Sequence, residues 1–277
     1  MSISSCPARA SSARLVALVA LGTVLSGCTG HSDPSTPSTP SDPQHVTTIA
    51  TPPAAGSWEM QAAIARGGRL YDRWMGETRP APATRHPLYT ATTEYADKPA
   101  VNWRCKECHG WDYRGRDGAY ATGKRATGIV GIKRMVGADP AQVVTLLASP
   151  QHDFGTRLRT EELRDLALFV TQGQVDMTTV IDAKTKAVLG GDLVRGKAYY
   201  GTLCAQCHGE DGTKMKKMPA VGKLANDNPW ETLHKILNGE PEEEMPALRA
   251  LGLEVSRDIL RYAQSLPQEK PAATAKP

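Results

Sequence analysis

Two short stretches, "CKECH" (Cys105–His109) and "CAQCH" (Cys204–His208), share the pattern Cys-x-x-Cys-His and constrain this chain more than anything else in it. In that pattern two thiols sit one turn apart, spaced to form thioethers with the vinyl groups of one haem, and the adjacent imidazole falls beneath the iron as proximal ligand. Cys105 and Cys108 with His109, and Cys204 and Cys207 with His208, are thus expected to hold two covalently bound haem c groups. Only 5% of the residues are aromatic and only two are Phe, which is meagre for two independent cores; a bulky buried cofactor would make up the difference. A single zinc site with all four thiols as ligands is the competing use of these two pairs, and a disulfide framework is another. The zinc site would leave the following histidine unexplained twice.

The other two of the six cysteines lie near the start. Arg9 and Arg14 form a basic region ahead of an apolar run, "LVALVALGTVL", which is too short to remain as a spanning helix. Residues 1–27 therefore read as a secretory signal, with Cys6 inside it. The run ends in "LSGC", which resembles the bacterial lipobox; the resemblance implies lipidation at Cys28 and an exported protein held on the periplasmic side of a bacterial membrane. Residues 28–57 are rich in Pro, Ser and Thr and too poor in apolar side chains to bury a core, so they are expected to form a disordered tether. Residues 267–277 are expected to form a disordered tail. The formal charge is +4, and removing the two signal arginines leaves +2, which gives no reason to expect a nucleic-acid partner.

Around the second pentad, "RGKAYYGTLCAQCH" has a glycine, Gly196, and an aromatic, Tyr200, four residues ahead of the first thioether cysteine. "SRDILRYAQSL" supplies a later helix, and "EEEMPAL" a Met-Pro loop before it. This arrangement resembles the class I cytochrome c family. The resemblance implies that the helix carrying Gly196 crosses the C-terminal helix near Tyr262, that the region of Pro219 accepts a hydrogen bond from His208, and that Met245 is the distal iron ligand. Met215 and Met218 follow His208 too closely to compete well.

"RGGRLY" (Arg66–Tyr71) matches "RGKAYY" (Arg195–Tyr200), so the first half reads as a second copy. The repeat predicts a cysteine at position 75, but it comes at 105; the first copy carries a thirty-residue insertion, about 74–104, rich in Pro and aromatics and expected to form a lid beside haem 1. Met245 precedes Tyr262 by 17 residues, and His152 stands 17 residues before Phe169 in "EELRDLALFV". His152 is thus expected as the distal ligand of haem 1, with Met135, His86 or an open iron as alternatives. His234 is expected at the surface or beside a propionate.

The resulting expectation is a mainly α chain of two tandem cytochrome c-like helical domains, each wrapped round a covalent haem. The first covers 58–176 and the second 191–266, with a possible short hairpin in the linker 177–190. Such a chain resembles dihaem c-type cytochromes that pass single electrons between redox protein partners. Dihaem thiosulfate dehydrogenases and peroxidases resemble it too, and a dihaem oxidoreductase with haem 1 as its catalytic site is the alternative. No mature cysteine is left over to serve as a distal ligand of the thiosulfate dehydrogenase kind.

Overall fold

Ser57 ends the Pro/Ser/Thr-rich tract and caps the first helix, its hydroxyl accepting from Met60 N–H at 3.2 Å. From there α1 (Trp58–Asp72) buries Met60, Ala63, Ile64, Gly67 and Tyr71. The computed structural model describes residues 56–76 and 79–271; the signal segment, Cys28, the tether up to residue 55 and the last six residues lie outside them. Among the described residues the regular elements are helices joined by long loops, with no strand, in line with the mainly α class expected from the sequence. After α1 come α2 (Pro99–Asn102), α3 (Cys105–His109), α4 (Pro140–Ala148), α5 (Thr160–Leu168), α6 (Leu193–Leu203), α7 (Ala205–His208), α8 (Val221–Asp227), α9 (Pro229–Asn238) and α10 (Leu253–Ala263). None of the described helices is long and apolar enough to cross a membrane.

One helix crossing is built twice. In the first half α1 meets α5 at Gly67, where a β-carbon would fall on the Asp165 carbonyl oxygen and lie 2.8 Å from Phe169 Cβ. In the second, α6 meets α10 at Gly196, where a β-carbon would fall on the Asp258 carbonyl oxygen and lie 3.0 Å from Tyr262 Cβ. Beside each glycine an arginine forks onto the facing aspartate. Arg66 donates to Asp165 at 2.6 and 3.1 Å, and Arg195 to Asp258 at 2.8 and 3.3 Å. Tyr71 packs 5.3 Å from Phe169 and Tyr200 packs 5.4 Å from Tyr262, centroid to centroid. The "RG…Y" match in the sequence therefore encodes one three-dimensional joint used in both places.

The halves share one core. Buried apolar residues from both form a continuous cluster, and α1 packs on α9 as well as on α5. His234, expected at the surface or beside a propionate, is fully buried in this seam, so the surface placement does not hold. Its Nε2–H donates to Gly68 O at 2.9 Å and its Nδ1 accepts from the Tyr113 hydroxyl at 2.8 Å. The surface placement fails because α9 buries residues on two sides, and only the tertiary arrangement shows that its second side faces α1. Segment 177–190 also belongs to the core: Met177, Val180, Ile181 and Val188 are buried, and Ile181 pairs antiparallel with Val188 across a tight turn. Beyond α10 the chain stays engaged as far as Lys270, whose ammonium donates to the carbonyls of Met215 at 2.7 Å and Lys216 at 3.1 Å.

Asp72, at the end of α1, is the charged centre of the seam. It is fully buried, paired with Arg104 of the first half and, at 3.0 Å, with Lys235 on α9. Burial by itself would raise its pKa, but Lys235 and Arg104 together hold the carboxyl below the ordinary range. A carboxyl depressed in the folded state contributes stability above its unfolded pKa, roughly 4, and loses it as pH falls through the folded value. Asp72→Ala should cost about 3 kcal/mol in denaturant unfolding at neutral pH, because Arg104 loses its carboxylate and Lys235 keeps only Glu231 and Glu240. The deficit should shrink below about pH 4, where the wild type gives up the same contribution. A pH-independent deficit would show that the ion pair is not its source.

Candidate functional site

The first pentad forms the short helix α3, and in the second Cys204 caps the short helix α7. A glycine in left-handed backbone follows at once, Gly110 (φ 80°) or Gly209 (φ 83°), and reverses the chain. The loops then close in the same way. Gly115 N–H donates to His109 O at 2.8 Å and Lys214 N–H to His208 O at 3.0 Å. Asp112 accepts from Arg114 N–H at 3.2 Å, and Asp211 from Thr213 N–H at 3.0 Å. Tyr71 OH donates to Gly110 O at 2.6 Å and Tyr200 OH to Gly209 O at 3.1 Å, tying each loop to its own helix crossing.

One position breaks the symmetry. Gly212 (φ 73°) in the second loop corresponds to Tyr113 (φ 63°) in the first. A tyrosine there costs on the order of 1–3 kcal/mol of backbone strain, and its hydroxyl is the one that holds His234 across the seam. The sequence reading missed this residue. Its signal lies in the match of "GWDYRG" to "GEDGTK", which puts a bulky side chain where its twin has glycine.

All four pentad cysteines are unpaired, and among the described residues no group of three or more His, Cys, Asp and Glu is placed to hold a metal ion. The four-thiol zinc arrangement is therefore not formed, nor is a disulfide between the pairs. Burial pushes the Cys105 thiol up to about 12 and the Cys204 thiol up to about 11, so neither is an activated nucleophile.

The imidazoles fit a haem. His109 Nδ1 faces Val130 O at 2.7 Å, which places its proton on Nδ1 and leaves Nε2 bare for iron. Burial lowers its pKa to about 4, against the bond to Val130 and helped by charge repulsion from His152 and His86, so the ring is neutral as a metal ligand must be. His208 differs. Its Nδ1 is buried without a protein hydrogen bond, so the bond expected from the region of Pro219 is not made. Two carbonyls of the preceding loop, Met215 and Lys216, are instead taken by Lys270.

The distal candidates sit in different surroundings. His152, in the loop between α4 and α5, is half-buried with an unpartnered buried Nδ1, and it lies close enough to His109 to repel its charged form. His86 is 5% exposed and comes beside it on the insertion, but both of its nitrogens are bonded to backbone. Met135 sits in the helical turn Lys133–Met135, partly buried against the core. Met245 follows α9, half-buried, in a loop pinned by Leu248 N–H on Ile236 O at 3.0 Å. Met215, by contrast, is exposed.

Residues 193–250 match the family model of cytochrome c. That stretch is a cytochrome c domain. It runs from the start of α6 past Met245 and contains Cys204, Cys207 and His208, so the family's attachment motif coincides with the second pentad. A cytochrome c domain carries covalent haem c with its iron and supports a haem-based electron-transfer role. Residues Cys105–His109 lie outside the match. No curated protein matches the chain.

Proposed function

We propose that the chain is a dihaem c-type cytochrome in which residues 58–176 form a second cytochrome c-like domain, and that it passes single electrons between redox protein partners. The observation that carries this reading is the repeated joint. Arg66, Gly67, Tyr71, Gly110 and Asp165 reproduce, contact for contact, the arrangement of Arg195, Gly196, Tyr200, Gly209 and Asp258 in the cytochrome c domain.

In this reading Cys105 and Cys108 anchor haem 1 and Cys204 and Cys207 anchor haem 2. His109 and His152 ligate the first iron, His208 and Met245 the second. Haem iron, when bound, accepts and returns one electron at a time. The thioether of Met245 favours the ferrous state and the imidazole of His152 does not, so haem 1 sits at the lower potential. The proposed setting is the periplasmic side of a bacterial membrane, reached through the signal at 1–27 and held by lipid on Cys28; both lie outside the described residues.

A spectroscopic redox titration of wild type and His152→Ala tests the ligand assignment. The variant should lose one low-spin bis-His signal and gain a high-spin haem that binds added imidazole or carbon monoxide. An unchanged spectrum would sink the assignment.

A further inference from the structure

The insertion that delays the first pentad does more than cover a surface. We propose that His86, within it, is a positioning residue for haem 1: it holds the distal ligand His152 by that residue's own backbone carbonyl. The inference rests on the reading above, in which His152 binds the iron.

The geometry fixes the role of each nitrogen in the His86 ring. Leu88 N–H points at Nδ1 from 3.2 Å, and since an N–H can only donate, Nδ1 must be the bare acceptor. The proton is then on Nε2, which stands 3.2 Å from His152 O and donates to it. With both nitrogens committed to backbone, the ring has no lone pair to offer iron. Its place in the first half is to aim another histidine.

That hold is anchored beside the haem attachment itself. His86 N–H donates to Asn102 Oδ1 at 3.0 Å, and Asn102 Nδ2 donates to Tyr95 O and Ala96 O, each at 2.9 Å. Asn102 is buried and stands three residues before Cys105. Trp103 Nε1 donates to Thr84 O at 2.7 Å, closing the inserted loop on the same point. The proximal thioether and the distal histidine are thus referenced to one short segment.

The His152 loop is shaped to meet this grip. Phe154, two residues on, packs edge-on to Trp74 and Trp103 at 5.6 and 5.9 Å and lies 6.0 Å from the His86 ring. Asp153 between them is left-handed (φ 56°), and Arg157 pairs with its carboxylate at 2.6 Å while lying 4.5 Å over Trp103.

Three variants of the holoprotein separate the possibilities, read by the spin state of haem 1 and by its binding of added carbon monoxide, with the haem 2 spectrum as internal control. His86→Phe keeps the ring packing but removes the donor. It should raise the ligand-accessible fraction of haem 1 roughly five- to tenfold, the weight of one ordinary hydrogen bond. His86→Gln retains an N–H donor at the end of the side chain and should stay low-spin. His152→Ala should be fully high-spin. If His152→Ala leaves haem 1 low-spin, the ligand reading fails. If His152→Ala opens haem 1 while His86→Phe matches wild type, the reading stands and the positioning role is overturned. High-spin haem 1 in His86→Gln overturns it too, by showing that the ring itself is needed, and that outcome is decisive even should His86→Phe yield no holoprotein.

Discussion

With Cys204 and Cys207 both changed to serine, the purified chain should carry one haem where the wild type carries two, and Cys105→Ser with Cys108→Ser should remove the other. Haem per chain, measured against protein concentration after denaturation, reads this directly, because only thioether-bound haem survives unfolding. The expectation follows from the two attachment loops being built independently: each has its own left-handed glycine, its own aspartate turn and its own tyrosine tie to a helix crossing. Neither loop borrows a cysteine from the other. If instead the cytochrome c domain at 193–250 is the sole haem site, the first double variant will carry no haem and the second will be unaffected. The loss should also destabilise the affected half, since a chain this poor in aromatics relies on the cofactor to fill its core.

The second large effect is expected at the helix crossings. Gly196→Ala and Gly67→Ala each place a β-carbon on a backbone carbonyl of the facing helix, 2.8 Å from Asp258 C in one case and 2.6 Å from Asp165 C in the other. A side chain could rotate away from such a clash; a backbone carbonyl inside a helix cannot. The helices must part, which also pulls the arginine forks from Asp165 and Asp258 and loosens Tyr71 and Tyr262. Overpacking usually costs about 1–3 kcal/mol, and with backbone on the receiving side about 3 kcal/mol or more is expected for each. Gly201→Ala is the control. It lies in the same helix α6, a β-carbon there meets nothing within 4 Å, and it should be neutral or stabilising by up to about 1 kcal/mol. Denaturant unfolding followed by tryptophan fluorescence will rank the three, and equal midpoints would mean that the helices do not approach so closely.

Several of these features were legible in the residues alone, because they are local or periodic. The pentads declare themselves by spacing. The match of "RGGRLY" to "RGKAYY" located both crossings. The late arrival of Cys105 revealed an insertion and its aromatic content hinted at a packed one. Helical class followed from the same patterns.

What tertiary structure alone decided lies where segments far apart in sequence meet. His234 and Tyr113 are 121 positions apart, and Lys235 and Asp72 are 163 apart; no periodicity in either segment reports on the other. His234 looks like any helix-borne histidine until α9 is laid on α1, when burial and its bonds to Gly68 and Tyr113 make it the neutral pin of the seam. His86 and His152 likewise look like two rival ligands in the sequence. Packing brings His86 Nε2 onto the His152 carbonyl and leaves the His152 Nδ1 buried without a hydrogen bond, a difference that neither segment shows by itself. Motif spacing encodes chemistry that a few neighbouring residues can perform by themselves, whereas the assignment of roles between distant side chains depends on which helix faces meet.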